Sequence, residues 1–289
     1  MNVSILVSGL LIGSLYGLVG MGLSLQAGVV RLINLAQGDI LIGGGYLAIV
    51  LDEHLHCDPL LLIPVVAVIV FALAYPLQWF ILGPLLKKGG FSSSLVATFG
   101  LSLMLESAYQ EIFGANSRSL AAPWGDAGVT LLGVRVQSAY LVAFAAGLVL
   151  TAVTWYLLRR TRLGSVVRSA ASDPATARLV GVDVDRVFAA TFGFSAVLAA
   201  VAGIFIAVAQ SVTPTGGVSL LLFSFAVMAV AGLGNVPGAF LAGLGVGVFQ
   251  TVSVYLLGSG SEQLAVYVAF FVILVIRPSG LFFRRPAVA

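Results

Sequence analysis

RRTRLGSVVRSAASDPATARLVGVDVDR, residues 159–186, is a polar island in an otherwise apolar chain, and it carries six of the fourteen Lys and Arg residues. On either side stand uncharged apolar runs, Tyr140–Leu158 and Val187–Ala209. Each approaches or exceeds the roughly 20 residues that cross a bilayer as a helix. The island is therefore a loop between two membrane spans. Inside it, Asp173-Pro174 is a helix start: an Asp N-cap, then Pro at the first helical position, where its missing N–H costs nothing. The helix runs through ATARLV until Gly181 supplies a C-terminal stop. It is about two turns long, with Ala175, Leu179 and Val180 on an apolar strip. A helix this short needs something to pack against. The strip reads as a docking element for a soluble partner, built from Asp173, Ala175, Arg178, Leu179 and Gly181; a solvated loop helix is the plainer alternative.

Composition agrees with a polytopic membrane protein. The chain is 60% hydrophobic and 9% charged, against roughly 25% charged residues in soluble domains. Its mean hydropathy is +1.11. Glycine supplies 34 of 289 residues, well above the usual ~7%, as expected where helices approach closely or break within a membrane. The net charge of +3 lies in short loops, a pattern of topology rather than of nucleic-acid binding. A single cysteine, Cys57, excludes an internal disulfide. The N-terminus lacks a basic n-region and is expected to be the first span, retained in the mature protein.

Apolar segments fall at about 3–28, 32–51, 60–83, 94–113, 139–158, 187–209, 218–233, 238–257 and 263–277. The fold expected is an all-α polytopic bundle of about 8–9 membrane segments, in one domain over 1–289, with the second and seventh segments candidates for broken or re-entrant helices. If the island is cytoplasmic, alternation puts Arg31, Lys87, Lys88, the island arginines, Arg277, Arg284 and Arg285 inside. Only Arg118 and Arg135 then remain outside. This positive-inside bias predicts an outside N-terminus and a cytoplasmic C-terminus.

Several stretches carry chemistry. Gly9, Gly13 and Gly17 share one face of the first segment, and Gly243 and Gly247 offer a second close-packing pair. The second segment, RLINLAQGDILIGGGYLAIVL, places Asn34, Gln37 and Asp39 at the membrane boundary ahead of Gly43-Gly44-Gly45. Three successive glycines weaken a helix by roughly 1 kcal/mol each relative to Ala, so this segment is expected to unwind there and to line a pathway. A turn with tight helix packing is the alternative. Glu106 lies mid-span beside Ser102, and an intramembrane carboxylate is by default functional; a structural hydrogen bond is the other reading. Asp52-Glu53-His54-Leu55-His56-Cys57-Asp58 is a solvated outer loop rather than a metal site, because no second ligand pair accompanies it. Residues 115–137 are polar and offer a landing surface for an external partner. The chain holds no G-x-x-x-x-G-K-[ST], G-x-S-x-G or H-E-x-x-H motif, so it is not expected to be an enzyme or to bind ATP itself.

With these residues in view, RLINLAQGDILIGGGY (31–46), ATFGLSLMLE (97–106), TRLGSVVRSAASDPATARLVGVDVDRV (161–187), SAVLAAVAGIF (195–205), VAGLGNVPGAFLAGLGVGVFQ (230–250) and RPSGLF (277–282) together resemble one family, the permeases of high-affinity branched-chain amino acid ABC importers. The resemblance covers nearly the whole chain. It implies a bacterial inner-membrane location, two permease subunits (copies or paralogues) around a pathway, and two cytoplasmic ATPases that hold ATP and Mg²⁺. It also implies an extracytoplasmic substrate-binding protein, and it makes the island the loop that docks on the ATPase around Asp173–Gly181. The sequence departs from the family pattern at Gln37, where His is expected, and at Gln26-Ala27, where Ile-Tyr is common. Similar permeases carry urea, short amides or other amino acids. An ion-coupled secondary transporter using Asp39 and Glu106 is the remaining alternative.

Overall fold

A computed structural model describes residues 3–125, 127–131, 134–277 and 280. The chain forms a helical bundle: α1 Val3–Val29, α2 Gln37–Leu55, α3 Pro59–Leu77, α4 Gly83–Phe113, α5 Ser138–Arg160, α6 Arg162–Ser172, α7 Pro174–Leu179, α8 Val184–Ala209, α9 Gly217–Ala231, α10 Val236–Leu257 and α11 Glu262–Ile276. Among the described residues, six stretches are long and apolar enough to cross a membrane: Ser4–Val29, Pro59–Gly90, Ser138–Arg160, Val184–Ala209, Pro214–Ala231 and Val236–Leu257. Glu262–Ile276 is a shorter apolar helix, while α2 and the later part of α4 carry Asp39 and Glu106. The chain is a multi-pass membrane protein. Outside the island, the structure adds to the expected helices a small β-hairpin of Gly128–Leu131 with Val134–Gln137, at the end of the bundle opposite the island. Arg284 and Arg285 of the tail lie outside the described residues.

α1 and α8 are the core; they are apolar all round and mostly buried, whereas α3 and α5 expose most of their surface. A helix without a polar face belongs inside a bundle. The Gly9-Gly13-Gly17 face and the Gly243/Gly247 pair are two sides of one contact, the crossing of α1 with α10. A methyl group added at Gly13 would sit 2.6 Å from the Gly243 carbonyl oxygen. Hydrogens in place of side chains let the two backbones touch, and in lipid such dispersion packing holds helices together.

Two expectations about irregular backbone are corrected. α2 runs unbroken through Gly43-Gly44-Gly45. These glycines cost helix propensity but remove side chains where neighbours press in: Tyr109 at Gly43, the Ala200 backbone at Gly44 and the Gly203 carbonyl at Gly45. The irregular stretch lies earlier, at residues 31–36 between α1 and α2, opened by Arg31 at φ 57°. The seventh segment is also unbroken: a 3₁₀ turn, Pro214–Gly216, leads directly into α9. The real interruptions fall at the junction of α3 with α4 and within α4 itself. Residues Gln78–Leu82 form a π-turn, and Gly90, at φ 66°, ends the first part of α4.

Candidate functional site

The island folds as two helices, not one. α6 was not expected, although its signal is present: Leu163, Val166, Val167, Ala170 and Ala171 recur at helical spacing after Thr161. The Thr161 hydroxyl caps α6 by accepting from the Gly164 amide at 3.2 Å. α7 has the expected start and stop. The Asp173 carboxylate accepts from the Ala175 amide (2.9 Å), the Thr176 amide (3.2 Å) and the Thr176 hydroxyl (2.5 Å). At the other end Gly181 has φ 84°. The Val182 amide donates to the Ala177 carbonyl (3.0 Å) and the Gly181 amide to that of Arg178 (3.1 Å), the paired bonds of a Schellman motif. Hydrogen bonds from the Thr176 hydroxyl, then from the Thr176 and Ala175 amides, hold the Asp173 carboxyl below the usual carboxylate range.

The helix so fixed has one face against the bundle and one free. Ala177 is buried with Ala170 and Val184. Ala175 is exposed, and Leu179 and Val180 are 87% and 74% exposed. Arg178 is engaged within the chain: it pairs with Asp185 at 3.5 Å, and Lys87 of α4 reaches the other Asp185 oxygen at 2.5 Å. Arg31, which sequence reasoning did not single out, donates to the Ala171 and Ser172 carbonyls (3.0 and 3.2 Å) at the end of α6. The irregular linker 31–36 is thereby tied at its first residue to the island.

At its other end the linker enters a buried polar network. Asn34 and Gln37 are fully enclosed. The Asn34 amide donates to the Gln37 side-chain oxygen (3.3 Å), and the Asn34 oxygen accepts from the Ala36 amide (3.0 Å). The Gln37 amide reaches the Ser195 carbonyl and hydroxyl of α8 (3.3 and 3.4 Å). The Ser195 hydroxyl donates to the Gly22 carbonyl (2.6 Å) and to the Gln26 side-chain oxygen (3.3 Å). The two positions at which the sequence departs from its resemblance, Gln26 and Gln37, thus meet at one serine. Ser195→Ala is expected to remove the hydroxyl's bonds to the Gly22 carbonyl, the Gln26 side-chain oxygen and the Gln37 amide, leaving the Gln37 amide only the Ser195 carbonyl, at a cost of about 1–3 kcal/mol. A lowered Tm of the purified protein checks this, and an unchanged Tm would show that the network carries no stability.

Asp39 is 2% exposed and accepts a hydrogen bond from the Ser102 hydroxyl of α4. Its carbonyl accepts from the Tyr109 hydroxyl at 3.1 Å. Glu106 lies one turn beyond Ser102, half-buried, with the Gln110 amide 3.2 Å away. The four candidate pathway residues therefore separate into an enclosed pair, Asn34 and Gln37, and a carboxylate pair along the α2–α4 contact. Asp39 is buried against Ser102, whereas Glu106 is only half-buried. Ser102, which the sequence already placed beside Glu106, is joined in these groups by Ser195 and Tyr109, polar side chains within otherwise apolar spans. Among the described residues, no three His, Cys, Asp or Glu side chains come close enough to hold a metal ion. Asp58 instead caps α3 and accepts from the Trp124 indole at 2.9 Å.

Known proteins agree with this architecture. Residues 5–277 match the family model described as branched-chain amino acid transport system / permease component. The chain belongs to that family. BraD of Pseudomonas aeruginosa, a high-affinity branched-chain amino acid transport system permease protein, is 26% identical, over 96% of this chain and 95% of its own. LivH of Escherichia coli K12, of the same description, is 28% identical over 96% and 94%. Among solved structures, PsaBC from Streptococcus pneumoniae in complex with Fab superposes with a TM-score of 0.51 at 13% identity, over 96% of this chain and 91% of that one. That likeness concerns the fold alone. As a member of this permease family, the chain is a transport-system membrane component.

Proposed function

We propose that the chain is the membrane-spanning permease subunit of an ATP-driven importer of branched-chain amino acids, or of a related small polar solute such as an amide. It acts as one permease domain over 1–289, crosses the inner membrane about nine times, and keeps its N-terminus outside and its C-terminus and island cytoplasmic. ATP and Mg²⁺ belong to separate ATPase subunits, a second permease completes the pathway, and an extracytoplasmic binding protein delivers the solute. The observation that carries the reading is α7: a helix capped at both ends and buried on one side, whose other side presents Leu179 87% exposed. Ala175 and Leu179 form the contact with the ATPase. Asp173 and Gly181 set the helix length, and Arg178, through Asp185, sets its angle to α8.

Movement of the island reaches the pathway through Arg31 and the 31–36 linker. Asn34 and Gln37 anchor that linker to α8, so displacement of α6 and α7 shifts the start of α2 and with it the Asp39–Ser102 contact, beside which Glu106 faces the solute path. The ATPases can shift this equilibrium only by binding its inward- and outward-facing states with different affinity. Arg31→Ala removes both hydrogen bonds that tie the linker to the end of α6. Uptake is expected to fall roughly tenfold or more while the ATPase still co-purifies. Undiminished uptake in that variant would remove the linker from the mechanism.

The deciding experiment is a gentle detergent pull-down of the native chain with mass spectrometry of its companions, followed by uptake with competing solutes. Two ATPase subunits and a second permease are expected, with leucine, isoleucine and valine the effective competitors. A chain that purifies alone and moves solute under an ion gradient would overturn the reading.

A further inference from the structure

At the island end, α1, α5, α6 and α10 enclose a half-open cavity of about 610 Å³, within the ~300–1,000 Å³ range of small-molecule sites. Its depth is set by two apolar helices long enough to cross a membrane. Arg159 stands in the last turn of α5, and residues 235–238 open α10. The cavity therefore sits where two spans leave the hydrocarbon. One turn inside Arg159 is Trp155, with the Arg159 guanidinium carbon 5.8 Å from its ring. A tryptophan at this level belongs to the interfacial belt.

The walls divide by chemistry. Leu25, Val29, Val167 and Leu241 make the apolar sides, while Arg159 and Arg168 bring the charge. The lining holds no acidic residue, and among the described residues neither arginine takes part in an ion pair. The Arg168 guanidinium donates to the Leu158 carbonyl, which fixes it at the rim. The neighbouring cavity under α7 is different: both of its cations, Lys87 and Arg178, are ion-paired with the same carboxylate, Asp185. The N-terminal end of α10 adds a positive dipole end to the first cavity. Trp155 and Leu241, 37% and 55% exposed, flank it on the apolar outer surface, so it opens sideways toward lipid.

We propose that this cavity binds one anionic phospholipid, its phosphate held by Arg159 and Arg168 and the upper parts of its acyl chains against Leu25, Val29 and Leu241. Unbalanced cations at headgroup depth attract anionic lipid, and a guanidinium matches a phosphate with two parallel hydrogen bonds. A free phosphate would leave the apolar walls uncovered. A bound lipid would also brace α6 against α5 and α10, beside the island.

The test uses the full chain, purified in detergent and titrated with phosphatidylglycerol, phosphatidylcholine or inorganic phosphate. Bound lipid is counted by native mass spectrometry and Tm is followed in parallel. Phosphatidylglycerol is expected to be retained roughly fivefold or more over phosphatidylcholine. Arg159→Gln should abolish that preference. Leu241→Trp, which fills the cavity from an exposed position, should lower retention while leaving the lipid-free Tm unchanged. Equal retention of the two lipids, or unaltered selectivity in Arg159→Gln, would overturn the proposal. Full protection by inorganic phosphate alone would mean an anion site without a lipid. Release of the lipid when ATPase subunits are added back would assign the surface to protein docking, and either of these results also overturns it.

Discussion

Gly243→Leu is expected to leave little folded protein in the membrane. A side chain at Gly243 would be driven into the Gly17 backbone and toward the Gly13 carbonyl oxygen 2.9 Å from its first carbon. Backbone atoms cannot swing aside as a flexible side chain can, so α1 and α10 must part along the length of their crossing. Overpacking of this kind costs about 3 kcal/mol or more, roughly a hundredfold in folded population. Gly245→Ala is the control on the same helix, because nothing lies within 4 Å of the carbon it would add. It should match or exceed the native protein in Tm, since alanine is the better helix former. The fraction of monodisperse protein on size exclusion, with Tm, separates the two. Native yield in Gly243→Leu would mean that the glycine crossing does not set the bundle.

Leu179→Asp should do the opposite, preserving the fold and removing the function. The side chain is 87% exposed, so the chain itself loses almost nothing. An ATPase groove that buries Leu179 would instead receive a charge with no partner. Co-purification of the ATPase and solute uptake are both expected to fall about tenfold or more, as at an interface hot spot, with membrane levels unchanged. Arg178→Glu is a less discriminating probe, because it also breaks the bridge to Asp185. Asp173 supplies an internal comparison. Asp173→Asn keeps the capping acceptor and should retain uptake, whereas Asp173→Ala loses it.

The pH dependence of that cap has a definite sign. The folded carboxyl titrates below its ordinary value of 3.8. Its contribution is thus present in full above that value and is lost only as pH falls through the lower folded one. Between about pH 5 and 8 the cap does not titrate. ATPase co-purification measured across that window should show no step attributable to Asp173, and a step abolished by Asp173→Asn would contradict the assignment.

Residues that act through local rules were legible in the sequence. Asp173-Pro174 and Gly181 fixed the ends of α7 because caps depend on the residues within a turn of them. The Gly9-Gly13-Gly17 and Gly243/Gly247 spacings announced close packing because small residues four apart share a face. Family membership rested on stretches spread over the whole chain. The glycine triplet misled because propensity is a weak force beside packing: Gly43, Gly44 and Gly45 remain helical because Tyr109, Ala200 and Gly203 occupy the room their side chains would have taken.

What the sequence by itself determined was a multi-pass helical permease with a short capped helix on its longest polar loop. Hydrophobic length, charge bias and capping are properties of contiguous residues, and no distant contact can reverse them. Only the tertiary structure decided that the α1 glycines meet those of α10, that Arg31 is tied to the carbonyls of residues 171 and 172, and that Gln26 and Gln37 converge on Ser195. It also decided that Asp39 is buried against Ser102 while Glu106 stays half-buried. These pairs lie far apart along the chain, and which of many chemically equivalent partners is taken depends on how whole helices fit, a packing problem that no local pattern encodes.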